Sequence, residues 1–270
     1  GHAVRFVYLL AGVAHLARLN NDEEKRQTCL RLWNNMVQRQ LYITGGIGSQ
    51  SSGEAFSSDY DLPNDTVYAE SCASIGLMMF ANRMLQMEGD SQYADVMERA
   101  LYNTVLGGMA LDGRHFFYVN PLEVHPKSIP FNHIYDHVKP IRQRWFGCAC
   151  CPPNIARILT SIGHYIYTQR SNALYINLYV GNETLLDNGL KIAISGNYPW
   201  DENVSVHIRT EKPLHQTLAL RMPEWCEKPR VQLNGKTCEG LLQRGYLHIA
   251  REWQDGDRLE IVLPMPVRRV

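Results

Sequence analysis

The sequence is organised around the stretch WFGCACCPPN at residues 145–154. Three of the seven cysteines of the chain fall within four positions there, and two prolines follow them directly. Apolar residues between positions 155 and 166 then recur at helical spacing, which predicts an amphipathic helix with Pro153 near its first turn. Cysteines at this density indicate a metal site, a redox pair or an activated thiolate.

Helical periodicity dominates the first 170 residues. It predicts helices over residues 3–19, 21–40, 69–87 and 91–106, the second of them capped at Asn21-Asp22. Residues 41–68 carry no period, and loops of this length in compact domains are often functional. The glycine run within that segment, GGIG at residues 45–48, indicates a tight turn rather than a phosphate loop. Asp112-Gly113 predicts a hairpin.

Beyond about residue 171, short apolar segments alternate with turn residues. Strands are predicted over residues 174–180, 190–194, 204–208, 218–220, 231–233, 246–249 and 259–263. Asn234-Gly235 and Asp255-Gly256 mark turns between them, a pattern that is typical of a β-sandwich. The predicted fold class is therefore α then β, with a helical domain over residues 1–170 and a β-sandwich domain over residues 171–270.

Composition narrows the class of function. The 27 Lys and Arg residues balance the 27 Asp and Glu residues, so no basic field favours nucleic acid or an anionic membrane. The nearly apolar run at residues 6–17 is shorter than the ~20 residues of a membrane span, and no signal peptide is expected. The seven cysteines cannot all pair, which favours a reducing, cytoplasmic compartment and a metal or catalytic use.

A metal site in the cysteine stretch needs ligands from elsewhere in the chain. Pro152 is expected to hold Cys151 outside the α region, in an irregular backbone that would let Cys150 and Cys151 face one ion. Glu70 and Cys72 add a carboxylate and a thiolate two positions apart, which share a face only before or in the first turn of a helix. The candidate zinc ligands are therefore Glu70, Cys72, Cys150 and Cys151.

Three further features carry weaker signals. Glu54 is an isolated carboxyl in the segment GEAF at residues 53–56. Among apolar rings such a group can serve as a general acid, whereas an exposed loop glutamate is the simpler interpretation. His133 and His137 are four positions apart but lack the glutamate of a metalloprotease motif, which favours surface or pocket histidines. Cys148 is a spare ligand without an assigned role, because its irregular spacing to Cys150 and Cys151 does not by itself exclude it.

Five segments carry a resemblance to a known family: GHAVR at residues 1–5, GEAF at 53–56, YDLPNDT at 60–66, ESCAS at 70–74 and WFGCACCP at 145–152. They resemble glycoside hydrolase family 127, the zinc-dependent β-L-arabinofuranosidases. The resemblance runs over the whole chain and implies an (α/α)6 barrel followed by β-sandwich domains. Because such a barrel has twelve helices and about five are predicted, the chain is expected to be a fragment that lacks the N-terminal half of the barrel and the C-terminal end.

The resemblance also implies roles for individual residues: a nucleophile at Cys150, an acid/base at Glu54, zinc ligands at Glu70, Cys72, Cys150 and Cys151, and substrate contacts at His2 and Tyr118. The implied cofactor is Zn²⁺, and the implied substrate is a terminal β-L-arabinofuranoside on an oligosaccharide or glycoconjugate. Neither nucleic acid nor a membrane is expected as a partner. The apolar helix faces of an open half-barrel would favour a homo-oligomer.

Three alternatives stay open. Glu54 and Glu70 could form a two-carboxylate glycosidase in which zinc is structural. The chain could also bind sugar without cleaving it, with zinc only pinning loops together. A redox use of Cys148, Cys150 and Cys151 is the least favoured, because the sequence offers no thioredoxin-type βαβ setting.

Overall fold

The computed structural model describes residues 1–170 and 172–269. The chain divides into two compact units. The first comprises Gly1–Gly89 and Tyr93–Ser161, and the second comprises Asp90–Gln92 and the chain from Ile162 on. The first unit consists of helices and irregular segments, and the second consists mainly of two β-sheets. The prediction of a helical region followed by a β-sandwich is confirmed.

Six α-helices occur in the described residues: α1 (Ala3–Asn20), α2 (Glu23–Arg39), α3 (Ser71–Glu88), α4 (Ser91–Arg99), α5 (Cys151–Thr160) and α6 (Gly163–Ile166). A π-helix over Ala100–Leu106 continues α4. The predicted N-cap of α2 is confirmed, because the Asp22 side chain accepts a hydrogen bond from the Lys25 backbone N–H at 3.0 Å. None of these helices is long and apolar enough to cross a membrane.

Helix α3 is the centre of the first unit, and it is buried on nearly all its sides. Helix α1 lies against it through an apolar stripe at helical spacing, which consists of Ala3, Val7, Leu10, Ala14 and Ala17. Gly76 of α3 permits this contact. A Cβ at that position would lie 2.5 Å from Val7 Cγ2 and 2.7 Å from the ring of Tyr8, so no larger residue fits without a shift of α1.

Helix α2 adds a second layer to this core. The ring of Trp33 meets the rings of Phe80 in α3 and Tyr93 in α4 edge to face, with centroids 5.4 Å and 4.9 Å apart. Cys29 lies on the same buried face of α2, as its helical spacing predicts. Burial raises the pKa of its thiol to about 11, so Cys29 stays protonated and packs as a small apolar residue.

The chain after the cysteine stretch differs from the prediction. Helix α5 ends at Thr160 and α6 follows after a break, whereas the spacing predicts one helix. The prediction that Pro152 holds Cys151 outside the α region is wrong, because Cys151 is the first residue of α5. Its sulfur is buried 3.5 Å from the sulfur of Cys72 in α3, and this packing outweighs the restriction that a following proline imposes.

The glycine run at residues 45–48 forms a tight turn, as the sequence indicates. Gly45 has a φ of +82°, and a Cβ there would lie 2.7 Å from the backbone N of Ala100 in the π-helix. The Thr104 hydroxyl of the same helix donates to the carbonyl of Thr44 at 2.9 Å. The turn therefore anchors the irregular segment before α3 against the π-helix.

At Asp112-Gly113 the chain turns back on itself as predicted, and Ala110 N–H donates to the His115 carbonyl across the turn at 2.8 Å, but the pairing is limited to one bridge. Gly113 N–H donates to the carbonyl of Ala110, and Met109 and Phe116 form one isolated bridge. No strand of the described chain extends this bridge. The turn is open to solvent, since a Cβ at Gly113 would have nothing within 4 Å.

Eleven strands occur in the described residues: β1 (Tyr167–Arg170), β2 (Ala173–Ile176), β3 (Asn182–Leu185), β4 (Lys191–Gly196), β5 (Asn203–Arg209), β6 (Leu214–Arg221), β7 (Arg230–Leu233), β8 (Lys236–Thr237), β9 (Leu241–Gln243), β10 (Tyr246–Trp253) and β11 (Arg258–Val262). One sheet has the order β1-β2-β6-β10-β9, and the other has the order β3-β4-β5-β11-β7-β8. Strands β2 and β6 are parallel, and the other pairs are antiparallel.

The strands that the sequence predicts are the seven inner strands of the two sheets. In β5, for example, Val204, Val206 and Ile208 are buried and alternate with more exposed residues. The four strands that it does not predict, β1, β3, β8 and β9, are the outermost strands of the two sheets. Their side chains are mostly exposed or half-buried, so they lack the apolar alternation by which a strand is recognised.

The Gly45 turn can be tested by substitution. We expect Gly45→Ala to destabilise the first unit by about 3–5 kcal/mol, because it combines a left-handed φ with an overlap against backbone. Gly113→Ala is the matched control: its φ is +65° but the added Cβ meets nothing, so a loss of about 1–2 kcal/mol is expected. Urea unfolding followed by far-UV circular dichroism measures both, and equal losses would contradict the packing role of Gly45.

Candidate active site

The first residues of α3 and α5 bring the predicted metal ligands together. Glu70 is the N-cap of α3 and Cys72 is the second residue of the helix, so this pair lies where its spacing predicts. Cys150 directly precedes α5, and Cys151 is the first residue of that helix. A backbone bridge between Glu70 and Val119 fixes the chain as it enters α3. All four side chains thus lie at helix N-termini, where negative charge is favoured.

One carboxylate oxygen of Glu70 and the sulfurs of Cys72, Cys150 and Cys151 all lie within 4.8 Å of one another. Cys151 Sγ is 3.5 Å from Cys72 Sγ and 3.7 Å from Cys150 Sγ. Glu70 Oε1 is 3.3 Å from Cys150 Sγ and 3.8 Å from Cys151 Sγ. These sulfurs are not joined as disulfides, whose S–S bond is about 2.05 Å, and every cysteine is free. Cys148 is exposed and lies outside the group.

The four acidic groups cannot all be ionised in this setting without a cation among them. Burial raises the pKa of the Glu70 carboxyl and the pKa of the Cys150 thiol. A hydrogen bond shared by Cys72 and Cys151 raises the pKa of the Cys151 thiol and lowers that of Cys72. Without a cation the four side chains therefore retain most of their protons, and a bound cation would displace these protons.

The residues fit a zinc ion. A tetrahedral zinc with Zn–S bonds of about 2.3 Å and a Zn–O bond of about 2.0–2.2 Å separates its ligand atoms by roughly 3.5–3.8 Å. Four of the six distances within the group, 3.3, 3.5, 3.7 and 3.8 Å, lie at or close to this range, and the remaining two pairs lie within 4.8 Å. Glu70 Oε2 is buried with no hydrogen-bond partner among the described residues, so no protein donor competes with a metal for this oxygen of the carboxylate.

Glu54 lies in a left-handed turn, with a φ of +49°. Its Oε1 accepts a hydrogen bond from the Tyr68 hydroxyl at 2.9 Å, and its Oε2 lies 3.0 Å from Nε2 of His2. These contacts are polar, as the simpler interpretation of Glu54 as a loop residue implies, and the ring of the neighbouring Phe56 packs against Phe6, with centroids 5.3 Å apart. The Glu54 side chain is 35% exposed, so its carboxylate is polar-bonded and reachable from solvent.

Two tyrosines connect Glu54 with the cysteines. Tyr118 Oη lies 3.0 Å from Cys150 Sγ, within hydrogen-bonding distance. The rings of Tyr68 and Tyr118 meet edge to face, with centroids 6.1 Å apart. Burial raises the pKa of both tyrosines, so both keep their protons at neutral pH. Glu54 and Cys150 are therefore held by two adjacent phenols.

The two histidines of the segment HIYDH at residues 133–137 make separate contacts. His133 is exposed, and its Nδ1 lies 3.3 Å from Asp136 Oδ2. His137 is half-buried beside Tyr68, with ring centroids 5.8 Å apart, and its Nε2 lies 3.1 Å from the carbonyl oxygen of Thr66. Neither belongs to the group of side chains that could hold a metal ion.

Tyr68 is a site residue that the sequence analysis misses. It precedes Glu70 by two positions in the irregular segment before α3, where the Tyr68 carbonyl accepts from the Asn120 N–H and Ala69 has a φ of +41°. Because a left-handed residue separates Tyr68 from Glu70, their spacing gives no signal of a shared face. The contact of Tyr68 with Glu54 in the folded chain identifies it.

Two family models match the chain. The model of the GH127 β-L-arabinofuranosidase catalytic domain matches residues 1–164, and the model of the GH127 middle domain matches residues 173–265. A non-reducing end β-L-arabinofuranosidase of Bifidobacterium longum subsp. longum is 41% identical over 273 residues, which cover 98% of this chain and 41% of that protein.

Two solved structures are similar over almost the whole chain. A GH127 β-L-arabinofuranosidase from Geobacillus stearothermophilus T6 has 52% identity and a TM-score of 0.95, over 100% of this chain and 43% of that one. A second GH127 β-arabinofuranosidase has 36% identity and a TM-score of 0.88, over 98% of this chain and 43% of that one. The chain thus spans less than half the length of these relatives, and its fold agrees with part of a barrel followed by a sandwich.

The geometry of the cysteine group predicts one tight zinc site per chain. We expect Cys72→Ser to lower zinc affinity by more than about 100-fold, beyond the loss typical of outer-shell changes, because a thiolate ligand is removed. Zinc affinity should fall as the pH falls, since the raised pKa values of Glu70 and Cys150 let protons compete for the ligand atoms.

Competition with a chromophoric chelator over a range of pH measures both effects. Cys148→Ser is the matched control, because it makes the same chemical change at an exposed cysteine outside the group. A loss of zinc in the control equal to that in Cys72→Ser, or an affinity that does not change with pH, would contradict the assignment.

Proposed function

Because the chain belongs to glycoside hydrolase family 127, the β-L-arabinofuranosidase family, we propose that it carries the active site of a retaining glycosidase. In this proposal Cys150 is the nucleophile, Glu54 is the acid/base, and the substrate is a terminal β-L-arabinofuranoside. The substrate class comes from the relatives, one of which is named a non-reducing end β-L-arabinofuranosidase.

One observation carries the assignment of the nucleophile. Within the cysteine group Cys150 is half-buried, whereas Glu70, Cys72 and Cys151 are buried. A nucleophile has to reach the substrate, so Cys150 is the member of the group that suits this role. The nearby hydroxyl of Tyr118 supports the assignment, since it can donate a hydrogen bond to the sulfur and orient it.

The thiol of Cys150 is a poor nucleophile by itself, because burial raises its pKa and keeps it protonated at neutral pH. The residues that would hold Zn²⁺ are Glu70, Cys72, Cys150 and Cys151, and the ion would supply the positive charge that keeps the Cys150 sulfur a thiolate. The other three ligands are then structural anchors.

In the first step, the Cys150 sulfur attacks the anomeric carbon, and the bond from that carbon to the leaving oxygen breaks. Glu54 donates its proton to the leaving oxygen, which departs as an alcohol. His2 and Tyr68 contact one Glu54 oxygen each and so hold the carboxyl in a single orientation. General-acid help of this kind accelerates a reaction by about 10²–10⁴.

In the second step, a water attacks the same carbon and the carbon–sulfur bond breaks. Glu54, now a carboxylate, accepts the proton of the water, and the Cys150 thiolate is restored. The partial exposure of Glu54 gives this water a route to the carboxylate. Two displacements at one carbon leave its configuration unchanged, so the sugar is released with retention.

The same proposal covers the substrate contacts and the compartment. His2 contacts Glu54 and Tyr118 contacts Cys150, so both would lie beside the sugar of an L-arabinofuranosyl oligosaccharide or glycoconjugate. A reducing, cytoplasmic compartment is also proposed, because every cysteine of the chain is free and an oxidised Cys150 could not attack.

The two alternative functions are weaker. A two-carboxylate mechanism would need Glu70 to reach the sugar, but Glu70 is 3% exposed and its Oε1 lies against the sulfurs of Cys150 and Cys151. A sugar-binding domain without catalysis would keep the same metal group and the same contacts around Glu54, and would lack turnover.

Turnover of p-nitrophenyl β-L-arabinofuranoside by the zinc-loaded chain tests the proposal. We expect Glu54→Gln to lower kcat by about 10²–10⁴, since the amide cannot transfer a proton. A slow substrate should leave a sugar adduct on the peptide that contains Cys150, which mass spectrometry detects, and Cys150→Ser should lose both the adduct and turnover.

Cys148→Ser is the control and should keep the adduct and the turnover. A sugar adduct on Glu70, or full activity in Cys150→Ser, would eliminate the thiolate mechanism. Sugar binding in calorimetry without turnover by the unaltered chain would favour the non-catalytic alternative.

A further inference from the structure

We propose that Asn120 is a positioning residue that serves both halves of the active site. It holds Ala69 in a left-handed conformation, and Ala69 sets the directions of Tyr68 before it and Glu70 after it. Tyr68 contacts the acid/base Glu54, and Glu70 belongs to the cysteine group. This inference rests on the proposed function, and it adds a residue that lies outside the reacting and metal-binding side chains.

Ala69 is the single residue between Tyr68 and Glu70, is fully buried, and has a φ of +41°. Residues other than glycine seldom adopt this left-handed conformation. In an extended chain Tyr68 and Glu70 would share one face, whereas a left-handed residue between them breaks that alternation. Tyr68 Oη donates to Glu54 Oε1 at 2.9 Å, and Glu70 Oε1 lies 3.3 Å from a sulfur of the cysteine group. The conformation of Ala69 therefore sets which partner each of these two side chains reaches.

Three contacts hold Ala69 in this conformation. Its N–H donates to the carbonyl of Gly48 at 2.9 Å, and its carbonyl accepts from Nδ2 of Asn120 at 2.9 Å. Its methyl group lies against the turn at Gly46, where a Cβ would lie 3.0 Å from the Ala69 Cβ. The bond to Gly48 joins backbone atoms, whereas the bond from Asn120 depends on a side chain, so a substitution at Asn120 removes it.

Asn120 also bonds to the residues on either side of Ala69. Its backbone N–H donates to the carbonyl of Tyr68 at 3.2 Å, and its Nδ2 donates to the hydroxyl of Ser71 at 3.1 Å. The Ser71 hydroxyl can accept this bond because its own proton goes to the carbonyl of Phe117 at 2.8 Å. The two N–H groups of one amide can serve both acceptors. Asn120 thus joins three of the four residues that lead into α3.

Such a link could also serve the stability of the first unit alone. Asn182 in β3 has that simpler role: it too is half-buried, its Nδ2 donates to the carbonyl of Val180 at 2.7 Å, and its Oδ1 accepts from the Tyr167 hydroxyl at 2.8 Å. It belongs to the second unit, which contains neither Glu54 nor the cysteine group. Asn182→Leu is therefore the matched control, in which only the free energy of unfolding should fall.

The test compares the unaltered chain with Asn120→Leu, which keeps the size of the side chain and removes its hydrogen bonds. We expect kcat for p-nitrophenyl β-L-arabinofuranoside to fall about 10–100-fold with little change in KM, because Tyr68 no longer holds Glu54 in place. The absorption bands of the Co²⁺-loaded chain should also change, since Glu70 shifts relative to the three sulfurs. Asn182→Leu should match the unaltered chain in kcat and in these bands.

Ala69→Gly gives a readout that a merely structural link would not move. Glycine adopts a positive φ without strain, so Ala69→Gly introduced into Asn120→Leu should restore the left-handed conformation and recover about ten-fold in kcat. Asn120→Asp provides a second variant, which keeps the shape of the side chain and replaces only the donor at Nδ2. It should show the same losses, and it decides the matter if Asn120→Leu does not fold.

Values of kcat and Co²⁺ bands in the folded Asn120 variants that match those of Asn182→Leu would overturn this inference and leave the proposed function intact. The absence of any recovery with Ala69→Gly would overturn it as well. If the unaltered chain binds Co²⁺ but shows no turnover, the proposed function fails. The Co²⁺ bands then decide for Asn120: altered bands support its positioning role, and unaltered bands overturn it. Failure of the unaltered chain to bind either metal would overturn both proposals.

Discussion

The first unit depends on one electrostatic constraint, which is the placement of four acidic side chains within 4.8 Å of one another. Three thiols and a carboxyl at that distance repel one another when ionised and lose solvation when buried. Two helices begin at this group, and they reduce both the repulsion between the ionised side chains and the cost of their lost solvation. The N-terminus of an α-helix carries roughly half a positive elementary charge, and α3 and α5 both direct this end at the group. The remaining negative charge calls for a divalent cation.

The need to hold these four side chains together explains why the irregular segment before α3 is fixed so closely. The backbone before α3 is irregular over a long stretch, yet it is fixed at several points by turns that only glycine can form. Gly45 lies against the π-helix, and Gly48, with a φ of +85°, lies where a Cβ would be 2.9 Å from Ala3. Helix α3 in turn contains Gly76, which brings α1 close. The absence of side chains at these positions keeps the start of α3 in a fixed place.

The candidate metal ligands could be predicted from the sequence, because metal binding is confined to a few residue types. The ligand group at Glu70, Cys72, Cys150 and Cys151 follows from the affinity of thiolates for zinc and from an i, i+2 pair before a helix. The apolar period likewise identifies the helices and the inner strands. The outermost strands escaped prediction, because they expose most of their side chains and so carry no period.

Features that depend on contacts between distant residues could not be read from local pattern. Pro152 predicts an irregular backbone at Cys151, but burial against α3 makes that residue helical. Ala55 and Phe56 follow Glu54 in the sequence, but the partners of its carboxylate are a histidine and a tyrosine that lie 52 and 14 positions away. Asn154 lies in the cysteine stretch itself, and its hydrogen bond with Tyr8, 146 positions away, joins α5 to α1.

The central claim is that three sulfurs and one oxygen of this chain surround a single zinc ion. X-ray absorption at the zinc edge of the loaded chain tests it most directly, since it counts the ligand atoms by type and distance. The account predicts three sulfurs at about 2.3 Å and one oxygen at about 2.0–2.2 Å. A first shell made mostly of nitrogen and oxygen, or one with fewer than three sulfurs, would contradict it.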